Sequence, residues 1–329
     1  MMRLPRFRYF GPRTAAEAAA ILAGEGPRAA VVAGGTDLYP NMKRGHQTPA
    51  VLVGLRRIDA LRGVRPMGRG GGLFIGPGTT LSALEEDAGL RAGWSGLWES
   101  IRSISTPILR NMGTIGGNVC LDTRCNYYDQ TEEWRSAIDY CMKCAGTVCW
   151  VAPGSDVCLA VNSSDTAPVL CALGARLRLT SRRGGERPLD APDLYRRDGI
   201  DYLTKRPDEI LTGIELPPAG RFRTAYRKLR RRGAFDFPVL GVAAALRFER
   251  DRVAEARLWL GAVSMAPVEA VEAEAALAGR PLTDAAIEEA AHLAYPRAKP
   301  VDNTDFSLRY RKEMTLRLVA DALRATRPA

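Results

Sequence analysis

Apolar positions in this chain fall into short segments punctuated by glycine, and the segments can be read in order as elements. Thr14 and Glu17 are spaced as a capping box in front of an alanine-rich helix over 14–23, which Gly24 and Gly26 end. Residues 29–33 form a short apolar strand that runs into Gly34-Gly35-Thr36-Asp37, and 50–55 a second strand. A turn at 68–72 leads to a strand at 73–75, and Thr80 caps a helix with Ala83, Leu84 and Leu90 on one face. A helix over 94–104 stops ahead of Pro107, and a second glycine segment, 111–118, follows with Gly113, Gly116 and Gly117. Residues 167–179 read as strands around Gly174, and 210–216 as a strand ended by Pro217-Pro218. Beyond that point the signals lengthen: strands at 226–229, 239–248 and 256–263, then helices at 268–278, 283–294 and 307–325. Strands followed by helices within one segment predict a compact α+β domain. The expected division is therefore 1–218 and 219–329, with a small lobe over 1–56 and a larger one over 57–218.

Between about 120 and 160 no regular period is visible. Five of the seven cysteines, Cys125, Cys141, Cys144, Cys149 and Cys158, fall there within 34 residues, with Cys120 just before and Cys171 just after. A structureless connection of this length is far above the usual one, which predicts a functional or metal-stapled loop. Tyr127, Tyr128, Trp134, Tyr140 and Trp150 supply large apolar surface there. Asp129, Glu132, Glu133, Asp139 and Asp156 make the loop acidic in a basic protein. One close pair, Cys141 and Cys144, is too few for the usual structural zinc site, and no βαβ context supports a redox-active C-x-x-C. An iron–sulfur cluster, zinc and unligated thiols all remain open on the residues alone, and spacing does not say which four cysteines converge.

The formal net charge is +10, and the composition is that of an ordinary soluble globular protein. No apolar run approaches the roughly 20 residues of a membrane helix. No apolar core follows the basic N-terminal stretch, so neither membrane insertion nor export is expected and the chain reads as cytoplasmic. The cysteines then read as ligands or free thiols rather than disulfides. Seven basic residues in the twelve from Arg221 to Arg232 raise the question of nucleic acid. No recognition motif accompanies them, so a solvated strand or a partner surface is the expectation.

Two glycine segments, each with a threonine and an ending Asp or Asn, predict a ligand held from two sides, with backbone N–H groups turned toward an anion. Together the two resemble the flavin pyrophosphate loops of the FAD-binding subunits of the molybdenum hydroxylases, the xanthine dehydrogenase and carbon monoxide dehydrogenase relatives. The resemblance extends to Ser164-Asp165-Thr166-Ala167-Pro168, to Tyr226-Arg227-Lys228 followed by Asp236-Phe237, and to the tail from Asp302 to Tyr310-Arg311. It implies a two-part FAD-binding domain of the PCMH (vanillyl-alcohol-oxidase-like) type, followed by a C-terminal α+β domain of the CO dehydrogenase flavoprotein type. It also implies that Val32, Ala33, Gly34, Gly35, Thr36, Asp37, Thr114, Ile115, Gly116, Gly117, Asn118, Asp165 and Lys228 contact FAD. Arg230, Arg231 and Arg232 would then face solvent or a partner.

In most members the aspartate follows the second glycine segment closely, whereas here 46 residues lie between Asn118 and Asp165. The insertion resembles that of the 4-hydroxybenzoyl-CoA reductases, whose C-x15-C-x7-C-x8-C ligands to a [4Fe–4S] cluster match Cys125, Cys141, Cys149 and Cys158. Cys120, Cys144 and Cys171 are left as structural thiols. The implied role is electron transfer, with no catalytic residue in this chain. Substrate chemistry would lie on a molybdopterin-containing large subunit, beside a small [2Fe–2S] subunit, in a dimer of heterotrimers served by a ferredoxin-like donor. Rival expectations are a flavin subunit of another aldehyde, purine or aromatic hydroxylase, a zinc protein associated with nucleic acid, and a stand-alone flavin reductase of the same fold.

Overall fold

Three short apolar strands near the N-terminus, β1 (Arg8–Phe10), β2 (Ala29–Val32) and β3 (Val51–Gly54), pair in parallel in the order β1-β3-β2. The structure, a computed structural model, describes residues 3–183 and 185–328; Met1 and Met2 of the basic N-terminal stretch lie outside them. The helix Ala15–Glu25 crosses between β1 and β2 and packs Ala18, Ala19 and Leu22 against Val51 and Val53. Its entry is fixed at both ends of the capping pair: the Glu17 N–H donates to Thr14 Oγ1 at 3.1 Å, and the Glu17 carboxylate accepts from the Arg13 N–H at 2.8 Å.

A second sheet is antiparallel and contains β4 (Val64–Met67), β5 (Gly72–Ile75), β6 (Arg176–Ser181), β7 (Gly185–Asp190) and β8 (Ile210–Leu216), in the order β4-β5-β8-β6-β7. A third sheet has the order β12-β11-β10-β9, from β9 (Arg223–Leu229), β10 (Leu240–Glu249), β11 (Arg252–Gly261) and β12 (Val268–Glu269). Both faces of this sheet are covered. Along β10, Val242, Ala244 and Leu246 join the core made with the helices Val271–Leu277, Asp284–Ala294 and Leu308–Ala325, while Ala243 and Ala245 join the core on the opposite side. On that opposite side lie the helices Ser95–Ser103 and Thr166–Leu173, so the third sheet is packed directly against the N-terminal half of the chain. Arg311, fully buried, locks the last helix down by donating to the carbonyls of Val239, Val301 and Ala262 at 2.8–3.1 Å.

Four expectations about elements are corrected. Residues 167–179 are not strands throughout: Thr166–Leu173 is a helix ended by Gly174 in the left-handed region, and only the following residues enter β6. The 268–278 helix is a two-residue strand followed by Val271–Leu277. The helix capped by Thr80 is two helices, Leu81–Glu85 and Ala88–Gly93, the second capped by Asp87. The cysteine-rich loop is not devoid of structure, since Thr131 caps a helix over Glu132–Ala137.

The basic run is largely neutralised within the chain. Arg221 pairs with Glu255, Arg227 with Glu99, Lys228 with Asp165, Arg231 with Asp305 and Arg232 with Asp236. Arg230 departs from expectation: it is half-buried and donates to the Ser103 carbonyl at 2.9 Å. No helix among the described residues is long and apolar enough to cross a membrane.

Candidate cofactor-binding site

A cleft of about 900 Å³ runs between the loop after β2 and the second glycine segment. Val32, Ala33, Gly34, Gly35, Thr36 and Asp37 line one wall, and Thr114, Gly116, Gly117 and Asn118 another. The two glycine segments are packed against each other. A Cβ on Gly34 would stand 1.9 Å from the Met112 carbonyl oxygen, so Gly34 serves the seam between the loops. Gly35 has φ +72°, and a Cβ there would also meet the Tyr39 ring.

The two segments differ in what they offer a ligand. Among the described residues, the N–H groups of Gly34, Gly35, Thr36 and Asp37 have no acceptor within the chain. Successive free N–H groups at a turn with one left-handed residue form an anion-binding nest. In the second segment four successive N–H groups are already used. Ile115 N–H donates to Thr79 O, Gly116 N–H to Pro77 O, Gly117 N–H to Thr114 Oγ1 and Asn118 N–H to Thr114 O, at 2.8–3.1 Å. The first segment therefore supplies donors and the second supplies a close wall. Gly117 forms that wall most openly, because a Cβ there would meet only Thr114 Oγ1, at 3.2 Å.

Gly117→Val is accordingly expected to fold and to lose flavin affinity on the order of tenfold or more, about 1.4 kcal/mol. Gly34→Val is expected to disrupt folding. Flavin absorbance per chain and a thermal melt separate the two; a folded Gly117→Val protein with full flavin defeats the reading of this wall.

Three of the expected contact residues do not line the cleft. The Ile115 side chain is fully buried in the core. Asp165 and Lys228 form a buried ion pair, with side chains 2% and 5% exposed and Nζ 3.0 Å from the carboxylate. Asp165 also accepts from Tyr226 Oη at 2.9 Å and Ser103 Oγ at 3.3 Å, while Lys228 donates to the Ser103 carbonyl at 3.0 Å. Burial lowers the Lys228 pKa, with Asp165 opposing it. The pair reaches the cleft indirectly. Ser164 and Thr166, on either side of Asp165, donate to Asn118 Oδ1 at 2.9 Å and 2.7 Å and so fix the end of the second glycine segment.

Other cleft residues carried no sequence signal. Arg110, held by Glu85 at 2.8 Å, and Lys205 bring cationic side chains to the wall, and Tyr202 and Gln47 join them; Phe237, which the resemblance had pointed to beside Asp236, lines it as well. Arg124 pairs with Asp37 and lies 3.7 Å over the Phe237 ring. Burial raises the Asp37 pKa, and Arg124 counters it. Only the fold brings Arg124 to Asp37, since 86 residues separate them.

The insertion is closed at its neck, where Arg124 and Val161 exchange backbone hydrogen bonds of 2.9 Å and 2.7 Å. It docks on the C-terminal half through Asn126 N–H to Asn303 O and Asn303 Nδ2 to Leu159 O. Inside it, Cys125, Cys141, Cys149 and Cys158 are all buried and line one small pocket with Tyr127, Met142, Lys143, Trp150, Val151 and Ala160. The other three cysteines stand elsewhere. Cys120 lines the large cleft, Cys144 is exposed beside Arg135, and Cys171 is in the helix Thr166–Leu173.

Burial pushes the Cys125 thiol up to about 12 and the Cys158 thiol up to about 11, and raises that of Cys141. A metal bound there would have to displace those protons. Four buried sulfurs facing one space suit a thiolate-ligated group. Among the described residues, however, no three metal-ligating side chains are gathered tightly enough for a single ion. Tetrahedral zinc, at about 2.3 Å from each sulfur, would require that gathering. The enclosed space is only about 10 Å³, so a polyatomic group would spread the sulfurs outward.

With the geometry in hand, comparison with known proteins decides the family. The family described as FAD binding domain in molybdopterin dehydrogenase matches residues 5–219, and the CO dehydrogenase flavoprotein C-terminal domain matches 224–326. The chain belongs to the FAD-binding subunits of the molybdenum-hydroxylase family. Among these subunits, it is 31% identical to the carbon monoxide dehydrogenase medium chain of Afipia carboxidovorans, covering 94% of this chain and 92% of that one. It is 27% identical to the aldehyde oxidoreductase FAD-binding subunit PaoB of Escherichia coli K12, with 96% and 98% covered. The carbon monoxide dehydrogenase structure from Hydrogenophaga pseudoflava superposes with a TM-score of 0.80 at 27% identity, covering 99% and 98%. The architecture is thus a PCMH-type FAD-binding domain followed by a CO dehydrogenase flavoprotein C-terminal domain.

Proposed function

We propose that this FAD-binding subunit carries a second redox group, a [4Fe–4S] cluster on Cys125, Cys141, Cys149 and Cys158, and serves a molybdenum-containing oxidoreductase as its electron-transfer subunit. The observation that carries the reading is the shared pocket: of seven cysteines, the four with the expected spacing, and only those among the described residues, line it. The free N–H groups of Gly34 to Asp37 would hold the flavin pyrophosphate, with Gly116 and Gly117 as the opposing wall. Bound FAD supplies the conversion between two-electron and one-electron transfer, and a cluster supplies one-electron transfer. The work of this chain's residues is position and electrostatics.

The relatives named above act, by name, on carbon monoxide and aldehydes, and further ones on xanthine. They favour an oxidative enzyme, with an aldehyde, purine or aromatic substrate bound on a molybdopterin-containing large subunit and a [2Fe–2S] subunit beside it. The inserted cysteine loop supports a second reading, the reductive dehydroxylation of 4-hydroxybenzoyl-CoA with electrons from a ferredoxin-like donor. Anaerobic purification from the native host tests both. Flavin, iron, sulfide and molybdenum are counted, then the complex is assayed with aldehydes, purines and aromatics against an acceptor, and with 4-hydroxybenzoyl-CoA and a reductant. A subunit that is isolated alone with flavin and no iron defeats the proposal.

A further inference from the structure

The cysteine pocket and the flavin cleft are linked by one partly buried ion pair. Lys143 lines the pocket, and its side chain is 7% exposed. Its ammonium donates to Asp122 Oδ1 at 2.8 Å, Thr123 Oγ1 at 2.7 Å and the Gly199 carbonyl at 2.7 Å, which uses all three of its protons. Gly199 in turn donates its N–H to the Cys158 carbonyl at 2.8 Å. Asp122 faces the other way. It lines the cleft, and its Oδ2 accepts from Gln47, a second cleft residue, at 2.8 Å. A cation on the pocket side and its counter-charge on the cleft side thus form the partition between the two sites.

We propose that Lys143 is a positioning residue that raises the reduction potential of the group held by the four cysteines, and that the Lys143–Asp122 pair sets the potential difference between that group and the flavin. The inference rests on the four-thiolate reading above. The physical ground is simple. A reduced thiolate cluster carries one more negative charge than the oxidised one, so a fixed cation beside it in a buried site favours reduction, and net charge near a cluster is one of the levers on its potential. Arg135, the other buried cation of the loop, is committed to Glu132 at 2.7 Å. It does not line the pocket.

The test is an EPR-monitored redox titration of the purified complex, with iron and flavin counted in each variant. Lys143→Met should keep both groups and move the cluster potential negative, and Lys143→Arg should restore it toward the parent value. Asp122→Asn removes the counter-charge while leaving Lys143 in place, so it should move the potential in the opposite, positive direction. Opposite signs in the two variants support the proposal. Full cluster occupancy with an unmoved potential in both overturns it. Should Lys143→Met shed iron, Asp122→Asn decides alone: a positive shift supports and no shift overturns. A parent protein without iron or sulfide overturns the four-thiolate reading itself, and this inference with it.

Discussion

Serine at Cys125, Cys141, Cys149 or Cys158 is expected to strip most of the iron from the subunit, and serine at Cys120, Cys144 or Cys171 to leave it. A hydroxyl is a far weaker donor than a thiolate, and each of the four first-named side chains faces the one pocket that none of the other three reaches. The flavin is expected to survive in all seven variants with one graded exception. Cys120 lines the cleft, so Cys120→Ser tests whether that wall tolerates a change in polarity. Cys171→Ser puts a hydroxyl into a fully buried helix and should cost stability of roughly 1–3 kcal/mol without touching iron. Iron and sulfide per chain, with low-temperature EPR, give the readout. Cys144 is the decisive control, because C-x-x-C spacing alone would recruit it with Cys141, whereas the fold turns it outward beside Arg135. Iron lost from Cys144→Ser and kept in Cys149→Ser would replace the ligand set by one built on the close pair.

How far the sequence could be read depended on what each segment faces. Ile210–Leu216 was legible to the residue, because an apolar run ended by two prolines has few other solutions. Thr166–Leu173 was not: every one of its residues is buried, so no polar face marks a helical period. Its Pro168 sits in the first turn, where a missing N–H costs nothing. The edge strands β4 and β7 escaped for the opposite reason. Each is largely solvent-facing and carries a proline, Pro66 and Pro188, as sheet edges often do. In the cofactor region the glycine segments were visible as a pair, but which of them has spare N–H groups depends on Pro77 and Thr79, which local spacing does not connect to the second segment. Arg124, Lys143 and Asp122 lie in plain sight near the cysteines, yet their partners Asp37 and Gly199 are supplied by distant parts of the chain. Lys228 was found through resemblance, and what the fold adds is its partner.

That partner changes what removal of Lys228 should do. A residue whose main task is contact with flavin would, on Lys228→Met, lose flavin affinity and leave the melting temperature nearly unchanged. The structure instead places its ammonium 3.0 Å from a carboxylate that is 2% exposed, across the seam between the FAD-binding half and the C-terminal sheet. Breaking a buried pair by removing one partner leaves a charge without compensation, and the cost is about 3–5 kcal/mol. Lys228→Met is therefore expected to lower stability by that order, with Asp165 left to Tyr226 and Ser103. Asp165→Asn should cost a similar amount, since it strands the ammonium on the Ser103 carbonyl. The double variant should cost clearly less than the two singles together, because no charge is then left buried, and the deficit is the coupling energy of the pair. Flavin loss should follow as a secondary effect, through Ser164 and Thr166 releasing Asn118 at the end of the second glycine segment. Chemical denaturation of the four proteins, with flavin titrated in parallel, distinguishes the cases. Additive single and double costs, or flavin lost from a Lys228→Met protein of parental stability, would return Lys228 to the flavin and leave the seam to be held by packing alone.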